Sequence, residues 1–267
     1  MGMSDTSAAP GPVWRALVAA DPARPFVTAY DASGGRVELS RATVDNWVSK
    51  TSNMLVDGLG AQPDDRLAVA LPLHWQSLVW LLAAWSVGTV AEPAGPGRVP
   101  SGAQFAIADS DRLETALDSG AEEVVGTSLH PLGLPLSETP AMVTDYTVEV
   151  RGHGDHFAPY PVDADAVAAR TDREYTGAEL VEAGRARAEA WELGEKDRVA
   201  VLADGHAPLS VLGTDLSVLW AAVHAGTPLV LTPTGTEGLA HRLSTEQVTA
   251  AVAAEGAEVP EHVRTLS

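Results

Sequence analysis

Apolar and polar positions fall into two matching runs along this chain. Asp65-Arg66-Leu67-Ala68-Val69-Ala70-Leu71-Pro72-Leu73-His74 aligns without a gap on Asp197-Arg198-Val199-Ala200-Val201-Leu202-Ala203-Asp204-Gly205-His206. Each run continues through a Leu/Trp/Ala-rich segment to a Gly-Thr pair, Gly88-Thr89 and Gly226-Thr227. The aliphatic stretches at 66–71 and 198–202 predict buried strands. Residues 77–87 and 210–224 are apolar on most faces and predict helices stopped by Gly88 and Gly226, with further strands beginning at 89–91 and 229–231. Each run is therefore a β-α-β unit, whose strands lie parallel with a right-handed crossover. An amphipathic helix precedes each. In the first, over 40–59, Val44, Trp47, Val48, Thr51, Met54 and Leu55 recur at helical spacing. In the second, over 176–193, Leu180, Val181, Ala188 and Trp191 face inward, and Glu179, Glu182, Arg185 and Glu189 form a solvated face.

Between the runs, residues 105–125 read as a helix leading into a strand at 121–126. Residues 130–140 read as a Pro/Gly/Leu loop, and 143–150 alternate as a strand does. From 151 to 165 the pattern turns irregular, which places a lobe boundary there. The expected organisation is a disordered 1–12, a first α/β lobe over 13–158 and a second over 159–267. The fold class is α/β, two pseudo-duplicated lobes with mostly parallel sheets flanked by helices.

Composition narrows the function. The net charge of -19 disfavours nucleic acid and anionic membranes, which are held by clustered Lys and Arg, and Lys50 and Lys196 are the only lysines. Cysteine is absent, which removes disulfides, thiolate nucleophiles and Cys-based metal sites and makes a reducing cytoplasm the simplest compartment. Residues 67–91 carry no charge and are long enough for a bilayer. Pro72, His74 and Gln76 interrupt them, however, and the equivalent second segment holds Asp204 and Asp215, so no membrane span is expected. The amino terminus lacks the basic start and apolar run of a signal peptide; Gly2 with Thr6 fits a myristoylation pattern too short to carry weight.

His74 and His206 follow equivalent strands, at the carboxyl edge where α/β sheets place ligands, and each reads as a ligand-binding residue or as a cap of the following helix. His153-Gly154-Asp155-His156, with Asp163 and Asp165 nearby, reads either as a metal site built on His153, Asp155 and His156 or as a flexible loop with incidental histidines. Trp75, Trp80 and Trp85, spaced by five, spread around their helix and point to packing rather than an aromatic ligand box. Neither Gly-x-Ser-x-Gly nor a Gly-x-Gly-x-x-Gly following a strand occurs, so neither a hydrolase elbow nor a dinucleotide fold is expected.

Leu39-Ser40, then Gly60-Ala61-Gln62-Pro63-Asp64-Asp65-Arg66-Leu67-Ala68-Val69, then the apolar segment 81–88, and later Tyr175-Thr176-Gly177-Ala178-Glu179-Leu180 and His206, stand in the order of a known set of phrases. They resemble the N-terminal part of the adenylate-forming superfamily: acyl-CoA synthetases, peptide-synthetase adenylation domains and luciferases. There the phrases run "Gly-x-x-x-Gly-Asp-Arg-Val-Ala-Val", "Leu-Thr-His-x-Asn-Leu" and "Pro-Leu-Phe-His". The resemblance implies the fold of an acyl-CoA synthetase N-terminal domain and a cleft between lobes suited to AMP or an acyl-adenylate-like ligand. His74, His206, Thr176 and Arg170 are its candidate ligand contacts.

The departures are equally specific. Family members that form acyl-adenylates carry, just before "Leu-Thr-His", a Gly/Ser/Thr-rich loop ending in Pro-Lys-Gly that holds the ATP phosphates. Here residues 162–172 contain no glycine or lysine and place Asp163, Asp165 and Asp172 where triphosphate would sit, each repelling it by on the order of a kcal/mol. The family's later "Tyr-Gly-x-Thr-Glu" segment, ribose-binding aspartate and lysine-bearing domain have no counterpart in these residues. The resemblance thus implies a degenerate member, a pseudoenzyme with no catalytic residue and no expected cofactor, binding a small acyl or nucleotide-like molecule or a protein partner. Two alternatives stand beside it. One is an adenylate-forming component completed by a partner chain, and the other a homo-oligomeric structural protein joined through its tryptophan-bearing helices.

Overall fold

The computed structural model describes residues 9–31, 34–95, 98–130, 133–158, 160–234, 238–253 and 259–267. The chain opens with α1 (Pro10–Ala20), β1 (Pro25–Tyr30), β2 (Arg36–Ser40), α2 (Arg41–Asn53), β3 (Arg66–Ala70), α3 (Trp75–Val87) and β4 (Val90–Pro93). It continues through β5 (Phe105–Asp109), α4 (Leu113–Leu117), β6 (Glu123–Thr127), β7 (Val143–Asp145), α5 (Tyr146–Glu149), β8 (Val167–Arg170) and β9 (Glu174–Thr176). It closes with α6 (Gly177–Ala190), β10 (Val199–Ala203), α7 (Ser217–Ala225), β11 (Leu229–Pro233), α8 (Leu239–Thr245), β12 (Ala250–Ala253) and β13 (Arg264–Leu266).

These strands form two mixed, mostly parallel sheets. The first has the order β7-β6-β5-β3-β4-β8-β9 and the second β13-β12-β10-β11-β1-β2. Apart from β7, the two orders are the same when β3 is matched with β10 and β4 with β11. The matched phrases also play matched local parts. Asp65 and Asp197 accept backbone N–H groups from Gln62 and Gly194, closing the turn before each strand. Gly88 and Gly226 end their helices at φ 92° and 65°, in the left-handed region that glycine enters at little cost.

The sheets do not follow the expected division at 158/159. The hairpin β1-β2 joins the second sheet, with β1 parallel to β11, and the hairpin β8-β9 joins the first, with β8 parallel to β4. Each half of the chain lends a hairpin to the other. Residues 9–12 are ordered, with Ala9, Pro10 and Gly11 buried as α1 begins. Residues 1–8, including Gly2 and Thr6, lie outside the described residues.

Strand alternation sorts the core into three clusters. The main one takes Leu67, Val69 and Ile107 from one sheet, Val199, Val201 and Leu231 from the other, and the helices between them, among them α3, buried along its whole length. Smaller clusters lie on the outer faces, Ala68, Ala106 and Ala108 under α4, and Ala200, Leu202 and Val230 under α8. The molecule is thus layered helix, sheet, helix, sheet, helix.

The tryptophans of α3 and α7 are consumed inside the chain. Trp80 meets the Tyr146 ring at 5.0 Å, Trp85 meets Trp220 at 5.1 Å, and Trp85 Nε1 donates to the Ala168 carbonyl at 2.9 Å. Trp80, Trp85 and Trp220 offer no free apolar face for the oligomer reading. Among the described residues no helix is long and apolar enough to cross a membrane.

Three expected elements differ. Residues 105–109 form strand β5 rather than helix, a fully buried apolar run whose period cannot separate the two. The expected strand at 143–150 stops at Asp145, whose carboxylate accepts the backbone N–H groups of Thr147 and Val148 and turns the chain into α5. The helix expected over 210–224 is broken. Residues 209–212 form one 3-10 turn, Gly213 has φ 90°, and Asp215 accepts from the Ser217 backbone N–H at 3.0 Å to start α7 afresh.

Candidate functional site

The carboxyl ends of the parallel strands bring both sheets together. Leu73 donates its backbone N–H to the Ala207 carbonyl at 2.8 Å, and Pro72 pairs with Pro208 in an isolated bridge, so the segments after β3 and β10 are stitched to each other. Arg112, following β5, donates to the His206 carbonyl at 3.2 Å while binding Asp109 at 2.5 Å. Burial pushes the Asp109 carboxyl above its usual range despite that arginine.

His74 and His206 flank this stitch, in unlike surroundings. His74 caps α3, its Nδ1 accepting from the Gln76 backbone N–H at 3.3 Å, and burial pushes its pKa down to about 4 against the opposing pull of Asp31. The His206 side chain is 76% exposed, lies 3.7 Å from Asp111 and caps nothing; Asp215 serves α7 instead. The capping reading therefore holds for one histidine and fails for the other.

Arg170 and Thr176 sit at opposite ends of the β8-β9 hairpin, since Arg170 pairs in register with Glu174 and Thr176 with Val167. Thr176 closes a capping box with Glu179 at the start of α6. Arg170 is held by Glu174 at 2.9 Å and Glu92 at 3.5 Å, and Glu92, nearly buried, is also gripped by Arg66 at 2.5 Å.

The segment immediately before Tyr175-Thr176 is the hairpin turn, residues 171–173. Of the three aspartates expected to face a triphosphate, only Asp172 lies in that turn, accepting from the Thr171 and Tyr175 hydroxyls at 3.0 Å each. Asp163 and Asp165 precede β8, beside the start of α6, where Ala178 donates to the Ala164 carbonyl at 2.8 Å. Strand β8 separates them from the turn because it runs between the two ends of the hairpin. Arg173 completes the turn, with its guanidinium 3.7 Å over the Tyr175 ring and 3.1 Å from Glu179. Thr171 reaches across to the Thr214 carbonyl at 2.5 Å, in the break before α7.

The loop at 153–156 gives no metal geometry. Its carbonyls face α2, with Lys50 Nζ donating to His153 at 2.6 Å and Asn53 donating to Gly154 and His156 at 2.8 and 3.0 Å. Asp155 and His156 are exposed, the His153 imidazole turns toward Glu149 at 3.6 Å, and no group of three or more His, Asp or Glu converges among the described residues.

A cavity of about 490 Å³ opens beside α2, walled by Val37, Leu39, Trp47 and Trp75 and edged by Lys50 and Arg151. Trp47 and Trp75 meet edge to face at 5.5 Å. Trp75 follows directly on His74, so this cavity lies at the carboxyl end of β3. None of its residues is among the candidates above. Lys50, one of only two lysines, was the available signal, but its placement depends on the β1-β2 hairpin and the loop after β6.

Comparison with known proteins agrees with this architecture. A TIGR03089 family protein of Mycobacterium tuberculosis (strain ATCC 25618 / H37Rv) is 35% identical over 245 residues, 90% of this chain and 96% of that protein. The family model described as AMP-binding enzyme matches residues 14–113. The chain belongs to the family of that mycobacterial relative, the TIGR03089 family. Solved structures share the fold of this chain at low identity. A long-chain-fatty-acid-CoA ligase from Archaeoglobus fulgidus superposes with a TM-score of 0.73 at 14% identity over 91% of this chain and 51% of its own. An acyl-CoA synthetase of Brucella canis gives 0.71 at 16% over 95% and 47%. The chain thus spans about half the length of these synthetases and nearly all of the mycobacterial relative.

Proposed function

We propose that this protein is a non-catalytic member of the AMP-binding enzyme family, one that binds a small acyl or nucleotide-like ligand at the carboxyl edges of its sheets without forming an acyl-adenylate. The turn at residues 171–173 carries the reading. A triphosphate is held by backbone N–H groups that glycines let approach closely and by cations with donors to spare. This turn has no glycine. Its aspartate is tied to two hydroxyls, and its neighbouring arginines are already neutralised by Glu174, Glu92 and Glu179. Turning Arg170 toward a phosphate would take it from both Glu174 and the nearly buried Glu92, leaving Glu92 with Arg66 alone.

The test is ATP-pyrophosphate exchange by the purified chain with a panel of carboxylic acids, together with thermal unfolding in AMP and in ATP with magnesium. No exchange above background is expected, and AMP at a hundredfold excess over its dissociation constant should add about 2.7 kcal/mol of stability while ATP adds none. Exchange that depends on an added acid overturns the reading.

A further inference from the structure

We propose that the cavity beside α2 is a binding site for an amphipathic monoanion, an apolar chain or ring bearing one negatively charged head. The inference rests on the reading of the protein as one that acts by binding, and it names a place and a ligand chemistry which that reading does not.

Charge is the first ground. The chain has 36 acidic and 17 basic residues, yet this cavity is lined by Lys50 and Arg151 and, among the described residues, by no carboxylate. Both cations are oriented, and among the described residues neither takes part in an ion pair. Lys50 Nζ donates to the His153 carbonyl and Arg151 Nη2 to the Gly133 carbonyl, each at 2.6 Å. An ammonium has three donors and a guanidinium five, so each retains donors after fixing its position. Shape is the second ground. A volume of about 490 Å³ falls within the range of small-ligand sites, and the Trp47 and Trp75 rings with Val37 and Leu39 supply an apolar wall. An apolar body lies against the tryptophans while its head meets the two cations, whose charge-assisted hydrogen bonds are stronger than neutral ones. The cavity lining shares no residue with the hairpin turn at 171–173.

The experiment titrates the full chain with octanoate and octyl sulfate, and with 1-octanol and octyltrimethylammonium as neutral and cationic controls, below their micellar concentrations, by calorimetry and tryptophan fluorescence. Saturable one-to-one binding of at least one of the two anions, at least tenfold tighter than that of the alcohol or the cation, is expected. Lys50→Met and Arg151→Met should each weaken it about tenfold, and Lys50→Arg should restore most of the loss. Absence of saturable anion binding, equal binding of 1-octanol, or indifference to both Met variants overturns the proposal. Should Lys50→Met unfold because the 153–156 loop comes loose, Arg151→Met, an exposed side chain, carries the same test. The two readings fail separately. Pyrophosphate exchange with anion binding intact removes the non-catalytic reading and leaves the cavity, while no exchange and no saturable binding of either anion removes the cavity alone.

Discussion

The Nδ1 of His74 accepts the Gln76 backbone N–H, and an imidazolium has no lone pair there to accept it. The folded protein therefore favours the neutral ring, and burial holds its pKa at about 4 against an ordinary value of 6.5. Because the folded value is depressed, the unfolded chain takes up the proton first as pH falls. The stabilisation is complete above 6.5 and is lost progressively down to about 4. Between pH 7.5 and 5.5 this linkage amounts to about 1 kcal/mol. Urea unfolding of the wild type should lose about that much across this interval beyond the loss seen in His74→Asn, which keeps a capping acceptor but does not titrate. Equal losses in both would place the acid sensitivity elsewhere. His74 and His206 are indistinguishable in the aligned runs, and their different fates depend on Asp215 intervening in one helix and on Asp111 and Arg112 arriving from β5. The arginine partners of Glu92 are likewise invisible along the chain, because Arg66, Glu92 and Arg170 come together only when β3, β4 and β8 pair.

At the scale of elements, α6 and α7 approach each other closely at Gly184. A Cβ added at Gly184 would lie 2.2 Å from the Trp220 Cβ and 2.5 Å from its carbonyl carbon, backbone and near-backbone atoms that no rotamer change can move. Gly184→Ala gains helix propensity of up to about 1 kcal/mol, but overpacking costs about 1–3 kcal/mol or more. The helix pair must part for the methyl to enter, so the clash wins. Net destabilisation of at least 1 kcal/mol is expected in the urea midpoint with an unchanged slope, whereas a neutral or stabilising effect would mean that α6 and α7 are not packed at this distance. The two β-α-β runs were legible because strand, buried helix and glycine stop are each local signals that agree with the tertiary outcome. The failures have two physical causes. A short, fully buried run such as 105–109 lacks an exposed face to reveal its period, and the carboxylates of Asp145 and Asp215 break 143–150 and 210–224 through local hydrogen bonds to the backbone that outweigh hydrophobic alternation. The β1-β2 hairpin was missed because β2 is an edge strand, exposed in part along its length, whose pairing serves a sheet built mainly from residues more than 150 positions later.

For the whole molecule, the exchange of hairpins means that neither sheet is complete without both halves of the chain. Strand β1 contributes Phe26 and Val27, each 1% exposed, to the main core, and burying such side chains is worth about 1.5–3 kcal/mol apiece. Polar ties add to this at the same junction. Glu246, nearly buried, accepts from the Tyr30 hydroxyl at 2.5 Å and Arg36 at 2.7 Å, and Arg198 reaches Glu38 at 3.1 Å. Burial alone would raise the Glu246 pKa, yet its hydrogen bonds to Arg36 and Tyr30 and the charge of Arg198 outweigh it and hold the carboxyl below its ordinary value. Set against a typical domain stability of about 5–15 kcal/mol, the loss of one hairpin is a large fraction of the total. A chain divided at 158/159 should therefore give two fragments that each lack a cooperative urea transition and near-ultraviolet circular dichroism. Co-expression should restore a single complex with both signals, since each fragment then recovers the hairpin it lacks. Cooperative unfolding of the 159–267 fragment alone would show that β10 to β13 close a core without β1 and β2, and that the two sheets are independent folding units despite their shared strands.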